Sequence, residues 1–509
     1  MGIILRQSIK NTLISYIGIA IGTVNTLWLF PAFLIPEEIG LLRLILDIPL
    51  LFAYFIQLGA SSLSDRFFNY FKNDAKKNNG FLFLILSYPL ISFLLFAISF
   101  FLLKDFWQSI YLSKSALLVE YLNFILPLTF FMMYIFILEA YLRANFNIST
   151  TSFIREILIR VMFTAIILLY HFKIINLEGM VYLYVFTYAL SLVIIFIYIR
   201  KINLLHLKPN FAFLNKSLIK ELGTYVLYLI PGVAGAMIVQ KIDSLMLGSM
   251  EGLTNVAVYS LAFFIGTVVE VPRKSLSQIS IPILSVACKD NDSEKIDELY
   301  KKNSILQLIA GIIIFLLIWI NVDELLSLLP NAAIYSKGKY VILFIGLSKL
   351  IDMATSINGE IIQFSKYYRY NILFVIVFAV LTVIANLIFI PLYSINGAAF
   401  ALLINVIIVN IFKTYFIWNK LQSQPFSFKM LHITLYGIVM MIGFEFFHFK
   451  SDSLILTLVT IVLKSSVIII TYFILIRKFN ISTDLNNLAD KIFLKISNKT
   501  GMVWIKKYL

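Results

Sequence analysis

Charge is what this chain has least of. Only 14% of its 509 residues are Asp, Glu, Lys or Arg, against about 25% in a soluble domain. A chain so poor in charge cannot dress a water-facing surface of ordinary size. Cysteine is down to one, Cys288, which excludes an intramolecular disulfide. The four histidines, His171, His206, His432 and His448, are scattered without ligand spacing, so a His- or Cys-built metal centre has no sequence support. Short alternating strands are missing, which removes an outer-membrane-type barrel. No small-residue cleavage site follows the first apolar stretch, and that stretch reads as a retained span rather than a signal peptide.

What is present is hydrocarbon. Hydrophobic residues make up 60% of the chain, in repeated apolar runs of about 18 residues or more, each long enough to cross a bilayer as a helix. The sequence predicts an all-α polytopic membrane protein. Spans are expected at 9–30, 39–59, 81–103, 117–139, 153–171, 177–199, 222–249, 253–275, 303–320, 338–364, 370–390, 394–418, 430–449 and 454–476, fourteen in all.

The formal net charge of +15 would point to nucleic acid in a soluble protein. Here it sorts by loop. Only Lys104, Lys114, Lys173, Lys337, Lys339 and Lys450 fall in one set of alternating loops, while the other set and the termini hold most of the 42 Lys and Arg. Cytoplasmic loops carry the basic excess, so both termini are expected in the cytoplasm and the charge is topology, with no nucleic-acid partner. The outward loops are short and leave no room for an extracytoplasmic catalytic domain.

The stretch 222–250 looks like a second beginning. It follows the basic linker 200–221, carries Lys241 and Asp243 inside an apolar run, and holds Pro231, Gly232, Gly235 and Gly248, residues that soften or break a helix. A faint repeat lays Gly18 over Gly235 and Leu44 over Leu261. The expected organisation is therefore an N-terminal lobe at 1–212, a C-terminal lobe at 213–425, an added pair of spans at 426–476 and a tail at 477–509. In the tail, Leu485, Leu488, Ile492 and Ile496 recur at helical spacing among lysines. Such a helix lies on the inner leaflet; a partly ordered basic tail is the other reading.

Three stretches carry a resemblance. The first is Ile35-Pro36-Glu37-Glu38-Ile39-Gly40-Leu41 with Leu58-Gly59-Ala60-Ser61. The second is Ile242-Asp243-Ser244-Leu245-Met246-Leu247-Gly248 with Val256-Ala257-Val258-Tyr259-Ser260-Leu261. The third runs from Asn386 through Pro391 to Asn396-Gly397-Ala398-Ala399. Together they resemble the polysaccharide-flippase (Wzx-like) branch of the multidrug/oligosaccharidyl-lipid/polysaccharide (MOP) exporter superfamily. The resemblance implies a V-shaped pair of six-helix lobes with a cavity opening to one face at a time. It implies export of an undecaprenyl-pyrophosphate-linked oligosaccharide across the bacterial inner membrane for O-antigen, capsule or exopolysaccharide synthesis. It also implies membrane lipids, a polysaccharide polymerase and chain-length proteins as partners. The peptidoglycan-precursor flippases that share the fold have an arginine-rich first helix. Here that helix offers only Asn25, Thr26 and Trp28, and the resemblance favours the other lipid-linked oligosaccharides.

Charges inside spans are costly, about 2.5–3.5 kcal/mol each on insertion scales, and usually face a bundle interior or a watery cavity. Arg43, Lys241 and Lys349 are the expected substrate-binding cations, with Asn25 and Trp28 as polar and aromatic candidates. Asp47, Asp243 and Asp352 are expected to pair with the cations in an empty cavity and to be displaced, or protonated, on loading. Arg43 with Asp47 and Lys349 with Asp352 are also spaced to neutralise each other along one helix face, so structural bridges remain the alternative. Lys464, mid-span in the added pair with no acid nearby in sequence, is expected on the lipid side. No cofactor is implied; the coupling ion, proton or sodium, is open. Competing functions are a multidrug/cation antiporter, which wants an acidic cavity, and a membrane polysaccharide polymerase, which wants polar chemistry on a sizeable outward loop.

Overall fold

A computed structural model describes residues 3–73, 76–445, 453–481 and 486. Most of the expected amphipathic tail, and the stretch holding His448 and Lys450, lie outside the described residues. Every regular element among the described residues is helical. Among the described residues ten helices are long and apolar enough to cross a membrane, or eleven if the pair Ala332–Ala354 and Asn358–Phe364, bent by 45°, is one broken span. One of the ten, Tyr368–Leu421, has 54 residues, or about 80 Å at 1.5 Å per residue, enough for two crossings of a roughly 30 Å core.

That long element is two arms meeting at Ser394, whose backbone is left-handed at φ 53° and ψ −132°. The break falls next to the boundary expected between the spans 370–390 and 394–418. Pro391 has no N–H to give the ladder. Gly397 sits so close to the carbonyl oxygen of Phe389 that no Cβ fits, and Ala398 and Ala399 are fully buried behind it. By contrast Pro231 and its neighbouring glycines do not break their helix: Lys216–Met250 runs for 35 residues, started by the Asn215 side chain accepting from Leu218 N–H at 2.8 Å. A proline costs a helix one hydrogen bond and a local clash, and the other backbone groups of this apolar span have no partner but the helix itself.

The helix from Ile3 passes through a π turn at Asn25–Leu29, and a second π turn, Ile154–Leu158, interrupts the helix that ends at His171. The two helices meet where Gly18 and Gly22 face Glu156 and Arg160; a Cβ on Gly18 would fall 2.7 Å from the Glu156 carbonyl oxygen. Small residues four apart permit such close approach in lipid, and Arg160 uses it to reach the Gly18 carbonyl.

By packing, the chain forms two compact units. The first comprises residues 1–261, 329–338 and 372–401. Its central helix is Ile125–Ala144, where Leu128, Met133, Ile137, Leu138 and Tyr141 are wholly buried. The linker after Lys201 is strapped to this unit: Tyr141 Oη donates to the Leu204 carbonyl at 3.1 Å, and Phe213 packs on Phe71. The second unit comprises residues 262–328, 339–371 and 402–509. Its Ser293–Trp319 helix gathers the two helices Phe428–Glu445 and Leu454–Lys478 through Leu308, Ile312, Leu316, Ile433, Ile468 and Tyr472. Packing thus places the Lys216–Met250 helix in the first unit, whereas the sequence places it at the head of the second half.

Candidate functional site

One cluster of charge within the apolar helices of the first unit is built from two of them. Arg43 and Asp47 lie one turn apart on Pro36–Ile56. Arg43 Nε is 2.8 Å from Asp47 Oδ2. From the Lys216–Met250 helix, Lys241 Nζ donates to Asp47 Oδ1 at 2.7 Å. Asp47 is 2% exposed, while 40% of the Arg43 side chain remains accessible. One carboxylate therefore serves two cations, and the triad keeps a net positive charge. Arg43 spends only its Nε on Asp47, and its terminal nitrogens make no hydrogen bond among the described residues. A planar fork of donors is left to offer an anion.

Asp243, two residues from Lys241, points elsewhere, as helical geometry requires. Its partners are neutral: Tyr259 Oη donates to Oδ2 at 2.8 Å and Asn386 Nδ2 donates to Oδ1 at 2.7 Å. No ion pair to it forms among the described residues. Two hydrogen bonds satisfy part of a buried carboxylate, and such a group can take up a proton without breaking an ion pair. Asn386 was legible only as a letter of the third motif, and Tyr259 only as a letter of the second.

In the second unit, Lys349 and Asp352 do not pair. Lys349 Nζ lies 2.8 Å from Glu270. Asp352 instead accepts from Asn410 Nδ2 at 2.8 Å, with Arg273 at 3.9 Å. Asn410 is the hub: its Oδ1 accepts from Thr355 Oγ1 at 2.8 Å and from Asn358 Nδ2 at 2.6 Å. Thr355 sits in the break between Lys339–Ala354 and Asn358–Phe364, so the network staples the broken span to the far arm of Tyr368–Leu421.

The remaining candidates are placed as follows. Asn25 is 4% exposed and tied to the next helix, donating to the Arg160 carbonyl at 3.1 Å and accepting from Thr164 Oγ1 at 2.9 Å. These bonds hold the π turn and leave the amide little capacity for a ligand. Trp28 is 54% exposed. Lys464 is not on the lipid side. It is buried, 2.5 Å from Glu324 Oε1, an acid far away in sequence that a local reading could not find. Beside it Asn321 Nδ2 donates to Ser465 Oγ at 3.2 Å. Among the described residues no group of three or more His, Cys, Asp and Glu is placed to hold a metal ion.

Residues 4–288 match the family model described as polysaccharide biosynthesis protein, and residues 229–392 match the one described as MatE. No curated protein matches the sequence. Among solved structures the chain is similar to the lipid II flippase MurJ in an inward closed conformation, with 14% identity, a TM-score of 0.74, and 92% of this chain and 99% of that one covered. It is also similar to an inward-facing multidrug resistance MATE family transporter of the MOP superfamily, with 13% identity, a TM-score of 0.60, and 87% and 99% covered. A MATE structure in the straight conformation gives 14% identity, a TM-score of 0.53, and 87% and 96% covered. At such identities the likeness is one of fold.

Proposed function

The chain belongs to the polysaccharide biosynthesis protein family, within the MOP exporter superfamily, and from that premise we propose that it flips an undecaprenyl-pyrophosphate-linked oligosaccharide across the bacterial inner membrane. The product feeds O-antigen, capsule or exopolysaccharide synthesis, where a polymerase and chain-length proteins would receive it. The observation that carries this reading is the Arg43–Asp47–Lys241 triad. A pyrophosphate bears about two negative charges and cannot enter hydrocarbon bare. A hydrated surface with surplus positive charge lowers that barrier, and a guanidinium offers phosphate paired donors. Lys349 is the proposed third cation. The prenyl tail needs no such help and stays in lipid.

The proposed topology has fourteen spans with both termini cytoplasmic, and halves at 1–212 and 213–425 that alternate access to a shared path. A proton or sodium ion would couple the cycle. No step makes or breaks a covalent bond, so no catalytic residue is assigned.

A second reading, a multidrug/cation antiporter, is favoured by the MatE match over residues 229–392. A triad of positive sign argues against a cationic drug in that place. Cells lacking the protein decide between them. Flipping predicts accumulation of a pyrophosphate-linked prenyl oligosaccharide and loss of one surface polysaccharide. A drug antiporter predicts altered drug susceptibility with surface polysaccharide intact.

A further inference from the structure

We propose that the outward end of the first unit is closed by a latch of backbone contacts through glycine, and that the Asp47–Lys241 ion pair is its innermost rung. The inference rests on the topology and halves proposed above. Four turns that the charge bias assigns to the outward side meet here in space. Gly40 lies against the Leu253 backbone so closely that a Cβ would collide with its carbonyl oxygen. Gly252, left-handed at φ 96°, leaves only 2.7 Å between its Cβ position and the Lys114 carbonyl oxygen. Ser115 Oγ donates to the Gly248 carbonyl at 2.5 Å. Asn331 Nδ2 donates to the Pro31 carbonyl at 3.0 Å. In each case a residue of the first half meets one of the second.

Along Pro36–Ile56 and Lys216–Met250 the contacts form a ladder. Gly40 meets Leu253, Leu44 meets Gly248, and Asp47 meets Lys241. Gly40 and Asp47 are about 10 Å apart along their helix, so the ladder runs from the outward turn to the charged triad. Ser244, one turn from both Lys241 and Gly248, lies between rungs and is 5% exposed.

Two features suit this contact to opening. The acceptors in its hydrogen bonds are carbonyls at helix ends: Gly248 is in the last turn of its helix and Pro31 in a four-residue helix. Such carbonyls have no intrahelical partner, and water satisfies them once the turns part, so separation strands no polar group. The innermost rung is an ion pair whose cation is also the proposed headgroup contact. An anion arriving at Lys241 and Arg43 competes with Asp47 and loosens the ladder from its inner end. Substrate binding and outward opening then draw on one interaction, which is the differential contact that a conformational shift requires.

The test uses Ser244→Cys in a Cys288→Ser background and a membrane-impermeant maleimide added outside intact cells. With the latch intact, Cys at 244 is protected. Gly40→Ala keeps a good helix former in its own helix and disturbs only the cross-contact, and it is expected to raise the labelling rate at least tenfold. Ser115→Ala removes one buried hydrogen bond and is expected to raise it roughly three- to tenfold. Unchanged labelling in both variants at normal membrane levels overturns the latch. Surface polysaccharide and lipid-linked oligosaccharide are measured in parallel in cells lacking the protein: a labelling shift in the variants while those cells keep both unchanged leaves the latch standing and removes the flippase reading, and unchanged labelling with a lipid-linked oligosaccharide accumulating in those cells removes the latch alone. Labelling of the parent at the variants' rate also overturns it.

Discussion

Arg43→Gln, Lys241→Gln and Asp47→Asn separate a substrate site from a structural bridge, because the two roles order the variants differently. Asp47 is almost fully buried between two cations. Replacing it leaves two like charges facing each other in a low-dielectric span, and removing one partner of a buried pair costs about 3–5 kcal/mol. Lys241→Gln leaves Asp47 its helical neighbour Arg43, so its cost is smaller. Arg43 is 40% accessible and its i,i+4 pairing contributes about 1 kcal/mol or less. The expected stability order is therefore Arg43→Gln most stable, then Lys241→Gln, then Asp47→Asn. It is read as residual monodisperse protein after heating in detergent. Export is expected in another order. Arg43→Gln loses charge-assisted hydrogen bonds to the headgroup, each worth roughly 1.5–3 kcal/mol, so export at matched membrane levels falls at least about tenfold although the protein is nearly as stable as the parent. Arg43→Lys recovers part of it, since a point charge replaces the fork. Normal export from Arg43→Gln, or export losses that simply follow the stability order, refute the reasoning and make the triad a bridge.

Two further outcomes are expected. Lys464→Met or Glu324→Gln alone leaves an unpaired charge at a site about 10% accessible and destabilises by about 3–5 kcal/mol, while the double variant Lys464→Met/Glu324→Leu restores most of the loss; heat-challenge gel filtration of the three proteins checks this, and equal melting of single and double variants contradicts it. Cysteines placed at Lys104 and Lys173 are expected to react with impermeant maleimide outside intact cells and those at Lys72 and Lys201 only after permeabilisation; the same reactivity on both sets contradicts the topology.

Much of the helical plan was legible because apolar length and loop charge are local quantities. The all-helical membrane architecture follows from runs about 20 residues long, and the Ser394 break from Pro391 three residues before it; Asn396 and Gly397, whose types favour a turn, lie instead in the helix that follows. The Arg43–Asp47 pairing was legible from its spacing of four. Partners far apart in sequence were not: Asp47 and Lys241 are 194 positions apart, and Lys464 and Glu324 are 140. Spacing misled at Lys349, because an acid three residues along is a weaker match than Glu270 from another helix. Neutral partners left no signal at all. Tyr259, Asn386 and Asn410 are ordinary residues in apolar helices until packing sets them against Asp243 and Asp352. The π turn at Asn25 was likewise invisible, since it depends on a bond to Arg160 in another helix.

The central claim is transport of a pyrophosphate-linked prenyl oligosaccharide, and it is tested most directly by purified protein in liposomes. The lipid-linked oligosaccharide that accumulates in cells lacking the protein is incorporated into both leaflets, and an impermeant glycosidase reports what is reachable from outside. In protein-free liposomes about half should stay protected. With the protein present and the proposed ion gradient applied, the protected fraction should be drawn out and cleaved, and Arg43→Gln should leave it protected. Protection unchanged by the parent protein under both proton and sodium gradients would contradict the account.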